Sequence, residues 1–368
     1  MIWPTAEQER LLRLATSPPS DLRGALDDLD VPPLDPTSRR LLPLLYPTLR
    51  GLDARGPLLD AADAEYRWTA SRNAALFERG GALVRELRSA GVATLALKGA
   101  ALVARYYRDA GLRPMADLDL LVPLKALFPT LLAFQHAGWT PRYTLTPSLI
   151  RTRHAAPYTT ADGFVCDLHW KIFPEPTPPA VEDEMWAASV DADLHGTEIR
   201  VLSPTDQLLH VCLHGARWAR EPAVWWVGDA IAIIRAGGVD WSRIVSHAVR
   251  ARFVLRLREP LGYLRDRLGA AVPGDVLATL RACPVTGVER LEWRLIAREH
   301  RLLGELPTYW CHHRRSDEGT GLSGVLGFPA YLKDALRLKS GADLPRAAAG
   351  RAIARAAAAL TRRRRPAS

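Results

Sequence analysis

The segment LALKGAALVARYYRDAGLRPMADLDLLVP, residues 95–123, constrains this chain more than any other. An apolar run leads into Lys98-Gly99-Ala100, a helix-like stretch follows, and the segment closes on Asp117 and Asp119 set among leucines. A carboxylate in a buried strand costs on the order of several kcal/mol unless it is paired or holds a cation. The pattern predicts a short buried strand, a glycine turn, a helix from about residue 100 to 109, and a strand DLDLLVP. Two residues apart on one strand, Asp117 and Asp119 project from the same face with backbones roughly 7 Å apart, a spacing that suits carboxylates converging on metal ions. The strand–glycine–helix order also turns free N–H groups toward an anion.

Around this segment the chain reads as two textures. Upstream, TAEQERLLRLA has Thr5 and Gln8 at capping-box spacing, and proline-rich stretches follow. DAEYRWTASRNAALFERGGALVRELRSAG is helical, with Gly80-Gly81 as a candidate break. Downstream, Asp162-Gly163 signals a hairpin, and in VCDLHW the alternation puts Asp167 and His169 on one face. A third carboxylate is thus expected on a strand beside a histidine. After PEPTPP the chain reads as helical, opening with Ser203 and Pro204 as cap and first turn.

Taken together, LKGAAL, LRPMADLDLLV and VCDLHW resemble the nucleotidyltransferase superfamily of DNA polymerase beta. They are more closely similar to a bacterial group of uncharacterised nucleotidyltransferases associated with peptide natural-product biosynthesis. The likeness extends over about residues 65 to 255. It implies an α+β fold: a polymerase-beta-type core, a mixed sheet with flanking helices, followed by a C-terminal helical domain. The expected organisation is an N-terminal helical segment (1–64), a catalytic core (65–175), a helical domain (200–345) and a basic Ala/Arg tail (346–368).

The resemblance assigns Asp117, Asp119 and Asp167 as catalytic metal ligands for two Mg²⁺ ions, with Mn²⁺ as the alternative. Gly99 and Ala100 match its phosphate-holding turn, although Ala100 lacks the serine hydroxyl of many members and the interval to Asp117 is longer. Lys98, Arg113 and His169 complete the nucleotide-binding set, the cations neutralising phosphate charge. The implied reaction transfers a nucleotidyl group from an NTP, ATP favoured, to a hydroxyl of a small molecule, peptide or protein, releasing pyrophosphate. A non-catalytic nucleotide- or peptide-binding module on the same fold, and a toxin-like transferase acting on tRNA or protein, are the alternatives.

Composition narrows the remainder. Of the net charge of +9, seven positive charges are arginines of the tail, so the body of the chain is no polyanion-tracking surface, and RNA binding is an option for the tail alone. Four scattered cysteines and the lack of an apolar run of membrane-spanning length point to a cytoplasmic protein without a membrane span. His210 and His214, four apart on a helix, lack a metalloprotease glutamate and read as packed histidines. Arg217 and Asp229 could reach a nucleotide or pair with each other. Gly319, Gly321 and Gly324 match a dinucleotide motif outside strand context and read as a loop, and Cys311-His312-His313 as a surface turn. The tryptophans, including Trp218, Trp225, Trp226 and Trp241, read as helix-packing core.

Overall fold

The computed structural model describes residues 2–17, 34–217, 224–298, 306–316, 321–338 and 340–345. The arginine tail, Trp218, Gly319 and most of the first proline-rich stretch lie outside the described residues. The strands are β1 (Leu95–Leu97), β2 (Leu118–Leu121), β3 (Thr140–Pro141), β4 (Ala155–Thr159), β5 (Val165–His169), β6 (Val190–Leu194) and β7 (Thr197–Val201). They form one mixed sheet in the order β3-β4-β5-β2-β1-β7-β6. The first helices are α1 (Ala6–Thr16), α2 (Pro36–Arg39), α3 (Leu42–Gly51), α4 (Pro57–Ser89), α5 (Lys98–Leu102), α6 (Leu127–His136), α7 (Pro147–Thr152) and α8 (Pro179–Ala187). The later ones are α9 (Pro204–Gly215), α10 (Trp225–Ala236), α11 (Trp241–Arg250), α12 (Val254–Leu268), α13 (Gly274–Ala282), α14 (Gly287–Ile296), α15 (Leu306–Arg315) and α16 (Gly321–Ala335).

Strand alternation divides the core into two layers. Ala96, Leu118, Leu120 and Val122 face α4 and α6, whereas Leu95, Leu97 and Leu121 face the helices of the C-terminal half and the N-terminal helices α1 and α3. Helix α1 carries the capping box expected of Thr5 and Gln8. The Asp162-Gly163 turn joins β4 to β5 as an antiparallel pair, Gly163 taking a φ of +86°.

Several expectations require correction. The Gly80-Gly81 pair does not break α4, which runs unbroken from Pro57 to Ser89. A Cβ on Gly80 would lie 2.6 Å from Leu118 of β2, and one on Gly81 2.6 Å from Thr197 of β7. The glycines therefore permit close helix–sheet approach. The chain is also not purely helical after PEPTPP: hairpin β6–β7 returns to the sheet, β7 pairing in parallel with β1. The expected helix 100–109 is shorter, α5 passing into a π-helical turn at Val103–Tyr107. Cys311, His312 and His313 do not form a surface turn. They lie buried in α15, where the ring of His313 bonds the Gly324 carbonyl at 2.7 Å. Gly321 and Gly324 belong to α16 and not to a loop. For Cys311, His312 and His313 the folding of α15 against α16 supplies the burial that local polarity did not suggest.

Candidate active site

Register brings the acids together. Strand β2 pairs in parallel with β5 so that Asp119 stands directly beside Asp167, and in antiparallel with β1 so that Leu97 stands opposite Asp119. Neighbouring strands lie about 4.8 Å apart, and residues in register share a face, so the two carboxylates converge from adjacent strands. His169, two residues beyond Asp167, falls on the same face. Ligand atoms of Asp119, Asp167 and His169 all lie within 4.8 Å of one another. A divalent ion bound at about 2.1 Å would need them within about 4.2 Å, so a small inward shift of these side chains would close the set on an ion, and the oxygen donors suit Mg²⁺ or Mn²⁺. Asp117 sits just before β2, half-buried, on the wall of the adjoining cavity.

Lys98, directly after β1 and opening α5, lies in the left-handed region with φ +45°, and its Nζ meets Asp119 Oδ1 at 2.5 Å. His169 Nε2 meets the same oxygen at 2.9 Å. Burial alone would push the Asp119 carboxyl up, but the Lys98 ammonium and the His169 bond outweigh it and hold Asp119 well below the usual carboxylate range. Asp117, without such a partner, is pushed up to about 6 by burial and by the charge of Asp119. Asp167 is raised for the same two reasons. The site thus combines one firmly ionised acid with two whose charge is costly until a cation arrives.

The cavity in front of Asp117 and Asp119 has a volume of about 190 Å³ and lies between the sheet and helices α9 and α10. His210 and His214 are packed as expected, their rings stacked with centroids 5.7 Å apart, and both line it. His210 is driven down to about 3 by burial and by the nearby cation Lys98, so it is neutral across the physiological range. Indole nitrogens of Trp225 and Trp226 are buried on the same wall without a hydrogen-bond partner among the described residues.

The remaining expected residues divide. Gly99 lies on the cavity wall, where a Cβ would sit 2.6 Å from Met115 Sδ, so no other residue fits without displacing that side chain. Ala100 is buried in the core layer beneath. Arg113 lines the cavity, but its guanidinium pairs with Asp229 at 2.9 Å and lies 5.4 Å from the centroid of the Trp225 ring. Asp229 also accepts a bond from Tyr107. Arg217 and Asp229 do not pair with each other, since Arg217 bonds the buried Glu175 at 2.7 Å. His169 is buried behind Asp119 and belongs with the carboxylates more than with the cavity wall.

The long interval before Asp117 has a structural support that the sequence did not reveal. Buried Asn73 of α4 donates to the carbonyls of Ala110 and Arg113, at 2.7 and 2.9 Å. Tyr66 donates to Asp109, and a Cβ on Gly111 would strike the Tyr66 ring at 2.3 Å. A polar residue inside an otherwise helical pattern was the available signal, but its partners lie some forty residues away.

The chain belongs to the uncharacterised nucleotidyltransferase family, whose model matches residues 37–269, and it is a nucleotidyltransferase in class. No curated protein matches it. Among solved structures it is similar to the antibiotic-resistance factor ANT(2'')-Ia, at 12% identity over 50% of this chain and 94% of that one, with a TM-score of 0.35. It is also similar to an antigenic nucleotidyltransferase-like protein from Paracoccidioides brasiliensis, at 16% identity over 56% and 94%, with a TM-score of 0.35. No helix among the described residues is long and apolar enough to cross a membrane.

Proposed function

We propose that the protein transfers a nucleoside monophosphate from an NTP, ATP favoured, to a hydroxyl of a small molecule, peptide or protein, in a reaction dependent on Mg²⁺. The observation that carries this reading is the register of β2 against β5, which sets Asp119 beside Asp167 with Asp117 at the cavity edge. Asp119, Asp167 and His169 would hold a divalent ion, and Asp117 would complete the set from the cavity side. Such ions supply charge stabilisation on the triphosphate and lower the proton affinity of the attacking oxygen.

The chain's own groups account for the rest. Lys98, drawn off Asp119, neutralises phosphate oxygens, and Gly99 leaves room for them. The acceptor oxygen forms the new bond to the α-phosphorus as the bond to the bridging oxygen of pyrophosphate breaks. Asp167, projecting beside Asp119 on the neighbouring strand, takes the hydroxyl proton. Three of the four cysteines are buried and none is paired, in keeping with a reducing, cytoplasmic setting.

The test is calorimetric titration with ATP, GTP, CTP and UTP in Mg²⁺, with Asp119→Asn in parallel. Binding of an NTP that needs both Mg²⁺ and Asp119 is the expected result. Unchanged binding in the variant would sink the assignment.

A further inference from the structure

Beside the catalytic cavity, on the far side of Met115, lies a second and wider groove of about 770 Å³. Met115 and Arg40 line both, and the groove ends at Ala116, the residue before Asp117. A molecule lying in it would bring one end to the carboxylates. Its walls come from α2, α4 and the loop 114–116, and among the described residues they carry Arg39 and Arg72 beside Glu65.

Trp68 lies in the groove with 58% of its surface exposed, which is unusual for an indole in a chain that buries most of its large apolar residues. The Arg72 guanidinium lies 5.7 Å from the centroid of that ring. Its polar contacts are two weak ones to the Met115 and Ala116 carbonyls, at 3.4 and 3.5 Å. Arg39 meets Glu65 at 3.1 Å, but its side chain is 58% exposed, so the pair is screened and readily re-partnered. An exposed indole flanked by guanidinium groups is built to stack a flat ring and hold an oxyanion attached to it.

We propose that this groove receives the acceptor of the nucleotidyl transfer, and that the acceptor is a ring-bearing oxyanion, an aryl or heterocyclic phosphate or carboxylate. Cationic acceptors are disfavoured by the Arg39 and Arg72 guanidinium groups. The proposal rests on the transferase reading above and adds the acceptor's chemistry to it.

The probe is phenyl phosphate, with benzylammonium as the cationic control. The full chain is labelled with ¹⁵N-tryptophan, and the Trp68 indole signal is identified by its loss in Trp68→Phe. Phenyl phosphate should move the Trp68 signal saturably, in the presence and absence of Mg²⁺-ATP, and benzylammonium should not. Arg39→Gln and Arg72→Gln should each weaken the effect by about fivefold or more, with the other indole signals unmoved as the check on folding. An unmoved Trp68 signal, or equal movement by benzylammonium, overturns the proposal. If Mg²⁺-ATP alone moves the Trp68 signal as phenyl phosphate does, the groove belongs to the donor and the acceptor assignment is wrong, while nucleotidyl transfer stands. If no NTP binds anywhere, the transferase reading fails and the acceptor role with it, whatever phenyl phosphate does.

Discussion

The contact between Lys98 and Asp119 makes a prediction that separates binding of the metal from use of it. Asp119 is 2% exposed and its Oδ1 receives both Lys98 and His169. Removing one partner of a buried ion pair costs about 3 to 5 kcal/mol, and the surviving His169 bond places Lys98→Met at the lower end, about 3 kcal/mol. At about 2 °C per kcal/mol for a chain of this size, the metal-free variant should melt about 6 °C below the parent. A divalent ion should repair much of that loss. In the parent, the ion must displace the ammonium from Oδ1; in Lys98→Met it meets a carboxylate that keeps only its His169 bond. The same 3 kcal/mol then appears as ion affinity, about a hundredfold tighter in the variant. Thermal melts with and without Mn²⁺ and calorimetric titration of the ion measure both quantities. Turnover should nevertheless fall, because the ammonium that would neutralise the triphosphate is gone. A variant that melts like the parent without metal, or that binds the ion no more tightly, would refute the reasoning.

Other outcomes follow from the same geometry. The Asp117 carboxyl has its proton affinity raised to about 6 in the fold, so its favourable contribution to metal-free stability is present below pH about 4 and is lost as the pH rises through 6. Ion binding needs the carboxylate, so Asp117 should contribute a climb in affinity of up to about tenfold per pH unit below 6 that levels off above it, and Asp117→Asn should make the curve shallower in titrations at pH 5, 6 and 7, leaving the part due to Asp167. Asn73→Ala strips two buried carbonyls of their donor and should cost about 2 kcal/mol by denaturant unfolding. It should also lower turnover although Asn73 touches no carboxylate of the site. Gly215→Ala places a Cβ 2.0 Å from Trp226 Cβ where α9 meets α10, and should destabilise by about 3 kcal/mol or more in the same assay.

Residue type and local alternation carried a large part of the site. Asp-Leu-Asp in an apolar run, a lysine and glycine ending the strand before it, and Asp-Leu-His after a hairpin turn are all local patterns. The short strands β1, β2 and β5 appear where those patterns put them. The placing of Asp167 and His169 on one face follows from the twofold repeat of a strand, which needs no tertiary information. Local patterning failed where burial came from a distant partner. Gly80 and Gly81 look like a helix break until β2 and β7 are seen pressed against them. Cys311-His312-His313 looks polar enough for a surface until α16 folds over it.

The sequence by itself determined that this protein carries acids in strands beside a glycine turn, because side-chain chemistry and strand periodicity are properties of neighbours along the chain. Only the tertiary structure decided which charges meet. That Lys98 rests on Asp119, that Arg113 is held by Asp229 and Arg217 by Glu175, and that Asn73 braces the loop ahead of Asp117 depend on contacts between residues from about twenty to more than a hundred positions apart. Such pairings are fixed by strand register and helix packing, and a one-residue slip of β2 against β5 would move Asp119 away from Asp167 without altering a single local pattern.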